Sequence, residues 1–439
     1  MDTKAEMEEI SSYERRLKVE IPSQEIEAEM ESQFNALAGQ VRIKGFRQGH
    51  VPLHVVRQQF GRQVKSESLS KLVDRSYAKA VSDHRIFPVS PPKIDMKPYQ
   101  NGETFRYEAR VEVKPEVQPK ITKGFELERE KVVIEEKEVD QAIDNLRVSR
   151  AQLKTTGEPR GVQDKDNVVI DFKGMVDGKA FPGGAAQNFL YEMGSQRFVA
   201  GFEEGLVGMK TGEEKKIRVT FPKDFHEKRL ASQQVIFGVT LREIKTKEIP
   251  KLDDAFAKEI DGCKTVEELK SKVKEEMELK ARHRVDKMLE TALLEQLVQK
   301  NPFQVPPSMI QRQVEFLRAD SERQLRQMGF EGQRMEEMLQ SWMKDIDRKA
   351  EFDVKVVLLA EAIANKEALK IDEKELALEI DRLAQQSGME PAKIKAYYRE
   401  VEVRSRLTWQ LLQAKVMRWL VSQARIREVT PKKRTPAGA

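Results

Sequence analysis

Met193-Gly194-Ser195-Gln196-Arg197-Phe198-Val199-Ala200-Gly201-Phe202-Glu203-Glu204-Gly205-Leu206 decides how the middle of this chain is read. Its glycines permit backbone angles closed to other residues, and Gly201 to Val207 has the pattern of one short helix. Upstream, Val168 to Gly174 is a strand, and Val176-Asp177-Gly178-Lys179 carries the Asp-Gly signature of a hairpin turn. Downstream, Ile217, Val219 and Phe221 alternate with Arg218 and Thr220. Val235, Phe237, Val239 and Leu241 alternate with Ile236, Gly238, Thr240 and Arg242. A period of two puts each set on one face of a strand. Residues 154–246 therefore form a compact β-domain rich in aromatics, set off by the turn-forming cluster Thr155 to Gly161. Histidine is scarce, no pair of histidines has ligand spacing, and no Ser or Cys sits in a nucleophile motif. No metal and no cofactor is expected. At any single position the phenylalanines read most simply as barrel core; taken together they also suit an apolar pocket.

The quoted string resembles the central motif of FKBP-type prolyl isomerases. Val169-Ile170-Asp171-Phe172-Lys173-Gly174, Asp177-Gly178-Lys179-Ala180-Phe181 and Val235-Ile236-Phe237-Gly238-Val239 match in the family's order. The resemblance implies a pocket with Phe202 as its floor and Phe172, Phe181, Phe189, Val199, Phe225 and Phe237 as its walls. Pro182 stands where many members carry an acid. Such a pocket suits the chemistry. Isomerising X–Pro twists the amide against a barrier of ~18–20 kcal/mol. Twisting costs the amide its resonance and its charge separation, so apolar surroundings disfavour the planar form more than the twisted one.

Gly45-Phe46-Arg47-Gln48-Gly49-His50-Val51-Pro52 lies in a segment, Ser32 to Ser66, without Asp or Glu but with Arg42, Lys44, Arg47, Arg57, Arg62 and Lys65. An acid-free window in a chain that is 34% charged is a basic patch suited to a polyanion or acidic partner. The glycines hold the tip open, Pro52 suits the first turn of a helix through Val55, Val56 and Phe60, and Phe46 stands beside Arg47. The competing reading folds Phe46 back into the core. The stretch resembles the docking signature G-F-R-x-G-x-x-P of the bacterial trigger factor family, through Gly45, Phe46, Arg47, Gly49 and Pro52. Gln48 and His50 stand where relatives often have Lys. The resemblance implies that Gly45 to His50 bind the ribosome's large subunit, both protein and rRNA, at the exit tunnel.

At 439 residues the chain exceeds a single core. Its net charge of +5 is small, which weighs against a general nucleic-acid-binding protein. Cys263 is the sole cysteine, so no intrachain disulfide forms and a reducing compartment is expected. The N-terminus lacks the apolar run of a signal peptide, and the run Val356 to Ala364 is too short to span a bilayer. A cytoplasmic protein without a membrane partner is expected.

Before residue 117, Tyr13 to Ile21 and Thr104 to Val113 alternate as paired antiparallel strands. Ile26, Met30, Phe34 and Leu37 mark a helix capped by Ser23, and Leu69 to Val81 a second one. Leu127 to Ile134 reads as a strand, and Val139, Ile143 and Leu146 as a helical stripe. From Ile249 the pattern is helical, with a Thr265/Glu268 capping box, a break at Asn301-Pro302, and starts at Ser308, near Gln333, at Asp372 and at Pro391. Pro431 to Pro436 is expected to be disordered.

The expected fold is multidomain α+β. It comprises a small α+β docking domain (1–117), a linker (118–153) packing with the C-terminal helices, an FKBP-like β-domain with a short helix (154–246), and an extended all-α domain with arms (247–439). The order of these parts is similar to trigger factor over nearly the whole chain. It implies an ATP-independent ribosome-associated chaperone that binds nascent and unfolded polypeptides, and a homodimer when free. The methionines of the helical region suit that task, since Met adapts to varied apolar partners. The rival is a stand-alone FKBP-type isomerase whose helices serve dimerisation.

Overall fold

A computed structural model describes residues 3–430 apart from 45, 48, 101, 157–159, 177–178, 196–197, 223–229, 261, 387 and 389, and all their side chains but that of Pro182. The chain divides into two compact units, Met1–Glu130 with Asp286–Thr430, and Lys131–Val285. Among the described residues no helix is long and apolar enough to cross a membrane.

The first unit opens with β1 (Lys4–Glu9), β2 (Glu14–Ile21), α1 (Ser23–Gln40), α2 (Leu53–Asp83), β3 (Lys93–Met96) and β4 (Phe105–Glu112). The strands form an antiparallel sheet in the order β1-β2-β4-β3. Alternation in β2 and β4 places Leu17, Val19 and Ile21 beside Ala109, Tyr107 and Phe105 on one face, which packs against Leu72, Val73 and Ala80 of α2. Tyr107 is buried there, with its hydroxyl 2.8 Å from that of Ser76; burial pushes its pKa up to about 12. Ser23 is the first helical residue rather than the cap: Pro22, at φ −60° and ψ 145°, sets the entry without a side-chain bond. Pro52 likewise precedes α2 instead of lying in its first turn. The two apolar stripes expected around Val56 and Leu72 belong to one 31-residue helix.

β5 (Glu126–Glu130) is shorter than its sequence pattern and ends where its partner ends. The second unit holds α3 (Glu136–Ser149), β6 (Gln152–Thr155), β7 (Asn167–Val176), β8 (Lys179–Glu192), α4 (Phe202–Leu206), β9 (Glu214–Thr220), β10 (Gln234–Glu248), α5 (Asp254–Glu259) and the first part of α6 (Val266–Lys300). Strand order is β6-β10-β7-β8, with β9 also on β10, all antiparallel. Val176 pairs with Lys179 across the expected hairpin; Asp177 and Gly178 lie outside the described residues. Leu146 of α3 packs with Phe256, Cys263 and Leu269, so the cysteine is buried.

The rest of the first unit comprises α7 (Pro307–Gln327), α8 (Gly332–Lys366), α9 (Glu373–Gln386), α10 (Pro391–Tyr397), α11 (Val401–Ser422) and β11 (Arg425–Val429). α7 begins at Pro307 and α8 at Gly332, one residue before the expected starts. β11 pairs in parallel with β5, and Leu127 joins Leu293, Leu297, Leu359, Ile363, Val416 and Leu420 in a core. Asn301, 5% exposed, clamps that core. Its Oδ1 accepts from the Lys120 and Ile121 amides at 2.8 and 2.9 Å, and its Nδ2 donates to the Ile121 and Leu297 carbonyls at 2.8 and 2.9 Å. All four bonds of the buried amide are made, so its burial carries no desolvation debt. The tail 431–436 lies outside the described residues.

Candidate functional site

β7, β8, β10 and the turn before α4 bring most of the expected pocket residues together. Phe172 on β7 meets Phe189 at 5.6 Å, Phe202 at 6.3 Å and Phe237 at 6.0 Å, all edge to face. Such T-shaped pairs suit the ring quadrupoles. Phe202 is fully buried, Phe237 and Phe172 nearly so, and Phe189 stands at the rim, 36% exposed. Val199 packs half-buried against the same cluster. Phe225 lies outside the described residues.

Glycine makes room for Phe181 and Phe237. Gly174 faces Phe237 directly across β7 and β10. A Cβ on Gly174 would lie 2.7 Å from the Phe237 ring and 2.8 Å from that of Phe181; one on Gly184 would lie 2.6 Å from Phe181. The Phe181 ring thus packs against two bare backbones. Two rings of the cluster carry no sequence assignment. Phe198 stacks on Phe202 at 4.2 Å and 14°, and Tyr191, 1% exposed, meets Phe198 at 5.1 Å. Phe198 belongs to neither strand nor helix, so no periodicity marks it; its signal is its place in the glycine-punctuated string.

Polar groups brace this cluster from outside. The Tyr191 hydroxyl donates to Glu203, whose other oxygen accepts from the Gly194 amide at 3.1 Å. Burial, then the bond to Glu203, pushes the Tyr191 pKa up. Asp171 accepts from the Asn188 amide and from Arg242 Nε, both at 2.7 Å, and these two bonds in that order hold its carboxyl below the usual range. That bond fixes Asn188, at φ 52°, next to Phe189. Asp166 takes Arg160 at 2.6 and 2.8 Å and the Gln163 amide at 2.8 Å, and Arg160 first of all lowers its pKa. What the rings offer a substrate is desolvation and shape.

The second candidate lies between α1 and α2. Phe34, Val51, Val56 and Val64 form a small core there, with Val41 and Ile43 packed against it. Apolar anchors therefore pin the chain on both sides of residues 44–50. Between them the Phe46 amide donates to the Ile43 carbonyl at 3.1 Å and the His50 amide to that of Arg47 at 3.0 Å. Gly49, at φ 83°, takes an angle closed to most other residues. Phe46 is 42% exposed and Arg47 is exposed, so this ring does not fold into the core. Gly45 and Gln48 lie outside the described residues.

Comparison with known families covers most of the chain. The profile "Bacterial trigger factor protein (TF)" matches residues 3–146, "Bacterial trigger factor protein (TF) C-terminus" 265–422, and "FKBP-type peptidyl-prolyl cis-trans isomerase" 158–242. The chain is 33% identical over 436 residues to the trigger factor of Bdellovibrio bacteriovorus, covering 99% of this chain and 98% of that one. It is 34% identical to that of Geotalea daltonii, over 97% of this chain and 98% of the other. A solved structure described as "Promiscuous Substrate Recognition in Folding and Assembly Activities of the Trigger Factor Chaperone" shares the fold. The TM-score is 0.50 at 20% identity, over 95% of this chain and 99% of that chain.

Proposed function

The chain belongs to the trigger factor family and carries an FKBP-type prolyl isomerase domain, and we propose how its parts divide the work of a ribosome-associated chaperone. Residues 1–117 dock on the large subunit at the exit tunnel, through Gly45, Phe46, Arg47, Gln48, Gly49 and His50, on both protein and rRNA. Residues 154–246 isomerise X–Pro bonds in a pocket of Phe172, Phe181, Phe189, Val199, Phe202, Phe225 and Phe237. Residues 247–439, joined by 118–153, hold nascent and unfolded chains without ATP. Exposed Phe316, Leu378 and Val401 on the helices, with Met328 just after α7, supply adaptable apolar contact. The setting is the cytoplasm, and the free protein pairs with a second copy.

The observation that carries docking is the exposed Phe46–Arg47 pair at an apolar-pinned tip within an acid-free segment. Phe46 gives an apolar anchor, and Arg47 a planar fork for carboxylate or phosphate. Hot-spot truncations cost at least about 2 kcal/mol each, so losing both weakens docking on the order of 10³-fold. Co-sedimentation with ribosomes at moderate salt tests this: the double change of Phe46 and Arg47 to Ala should leave the protein in the supernatant. Undiminished pelleting would refute the docking role.

In the pocket, the rings withdraw the substrate amide from water and so raise the planar, polar ground state relative to the twisted one. No proton has to move, which fits a cluster whose nearby carboxyls, Asp171 and Glu203, are already engaged by Arg242 and Tyr191.

A further inference from the structure

We infer that Phe198 is an internal plug of the isomerase pocket, occupying the place above Phe202 that a substrate's prolyl ring takes. This rests on the isomerase reading and adds to it a residue that sets how readily substrates enter. The ring geometry carries it. Phe172, Tyr191 and Phe237 approach Phe202 edgewise, at 76°, 85° and 81°. Phe198 alone among these described rings lies flat on it, at 4.2 Å and 14°. Phe198 in turn meets the edges of Phe172, Phe189 and Phe237 at 5.3, 5.9 and 6.4 Å, each within a few degrees of perpendicular. It is the ring the others surround, as a bound ligand would be. The floor beneath it has no exposure.

A five-membered prolyl ring is smaller than a phenyl ring, so the slot that accepts Phe198 has the width and apolar walls to accept proline. The two cannot occupy it together. Phe198 is also built to leave. It sits outside any strand or helix, between β8 and α4, with Gly194 at φ 86° before it and Gly201 at φ 91° after it. Its ring remains half-buried where Phe202 is sealed. Substrate entry then requires displacement of one stacked aromatic pair, and the apparent affinity for proline is lowered by the fraction of molecules in which the plug is seated.

The test uses the full chain with Phe198→Ala and Phe198→Val, fold verified by amide exchange in β7 and β10, and a short Phe-Pro peptide as probe. Peptide affinity by NMR titration should rise about tenfold in both variants, equivalent to the ~1.4 kcal/mol at the upper end of an aromatic pair's worth. KM should fall correspondingly while kcat stays within about twofold, since the plug competes with binding and not with the twisted state. A folded variant that binds the peptide no more tightly than the parent overturns the plug and makes Phe198 an ordinary wall. Tighter binding without turnover in parent or variant would leave the plug standing and remove the isomerase reading instead. The unaltered chain supplies an independent measurement. Proton contacts between the Phe198 and Phe202 rings should vanish at peptide saturation, and their persistence in the bound state likewise overturns the plug.

Discussion

Adding one methyl group at Gly174 should loosen the middle sheet and slow prolyl turnover. Two effects oppose each other. Gly→Ala restricts the unfolded chain and by itself stabilises by ~0.4–1 kcal/mol. Against this, the new Cβ would lie 2.7 Å from Phe237 Cε1 and 2.8 Å from Phe181 Cε1, both atoms of packed rings. Phe181 has little room to retreat, because the bare backbone of Gly184 also packs on its ring, so closely that a Cβ there would lie 2.6 Å away. Overpacking of this kind costs about 1–3 kcal/mol, so the clash wins and the net loss is about 1–2 kcal/mol. Amide exchange reads that locally, in a chain too large to melt as one two-state unit. Amides of β7 and β10 should exchange roughly 5–30-fold faster, with turnover of an aromatic-Pro peptide falling alongside. Exchange as slow as in the parent, with turnover intact, would show that the rings do not close over Gly174.

Asp166→Asn should destabilise the same domain by ~1.5–3 kcal/mol, the worth of hydrogen bonds to a charged group, because Asp166 is buried and holds Arg160 through two bonds. Its folded carboxyl is lowered, so this contribution is fully present above the unfolded value of about 3.9 and is lost as pH falls through the lower folded value. Acid melts of parent and variant should therefore converge below that window, and a constant gap throughout would rule the ion pair out as the cause. Excising the β-domain by joining Lys154 to Thr246 through a short Gly/Ser linker should leave a soluble chain that still suppresses aggregation of a denatured test protein. The two residues are partners across β6 and β10, about 5 Å apart in such a pair. A variant that melts cooperatively yet holds nothing would move substrate binding into the excised domain.

Where one face of a strand is buried and the other wet, the residues themselves declare it, as in β2, β4, β9 and β10. β8 hides because Pro182-Gly183-Gly184-Ala185-Ala186 breaks alternation and the β7–β8 register shifts at two irregularities. β1 and β3 are mostly exposed edge strands, so they carry no apolar period to read. α2 continues through Gly61, whose local cost of about 1 kcal/mol is outweighed by packing on both sides of it. In the pocket, strand periodicity places Phe172 and Phe237 on strands, and only the likeness of the glycine string and its flanking strands to the isomerase motif assigns them, with Phe202, to a site. Neither can show that the ring of Phe198 turns inward onto Phe202, because that is decided by the surrounding side chains and not by a repeat. The parallel pairing of β5 with β11 is beyond local patterning, since nothing near Glu126 specifies a partner so distant in sequence.

That pairing sets a timetable for the molecule's own making. β5 leaves the ribosome roughly 300 residues before β11, and at ~5–20 residues per second it waits about 15–60 s for its partner. Phe125 and Leu127, buried in the finished protein against α6, α8 and α11, gain these neighbours one helix at a time during that interval, and α11 is made only at its end. The sheet of β6 to β10 is entirely synthesised within the wait and can close early, so the inserted unit matures before the unit it interrupts. A chaperone of newborn chains thus spends its own infancy as one, with part of a hydrophobic core uncovered until α11 and β11 are made.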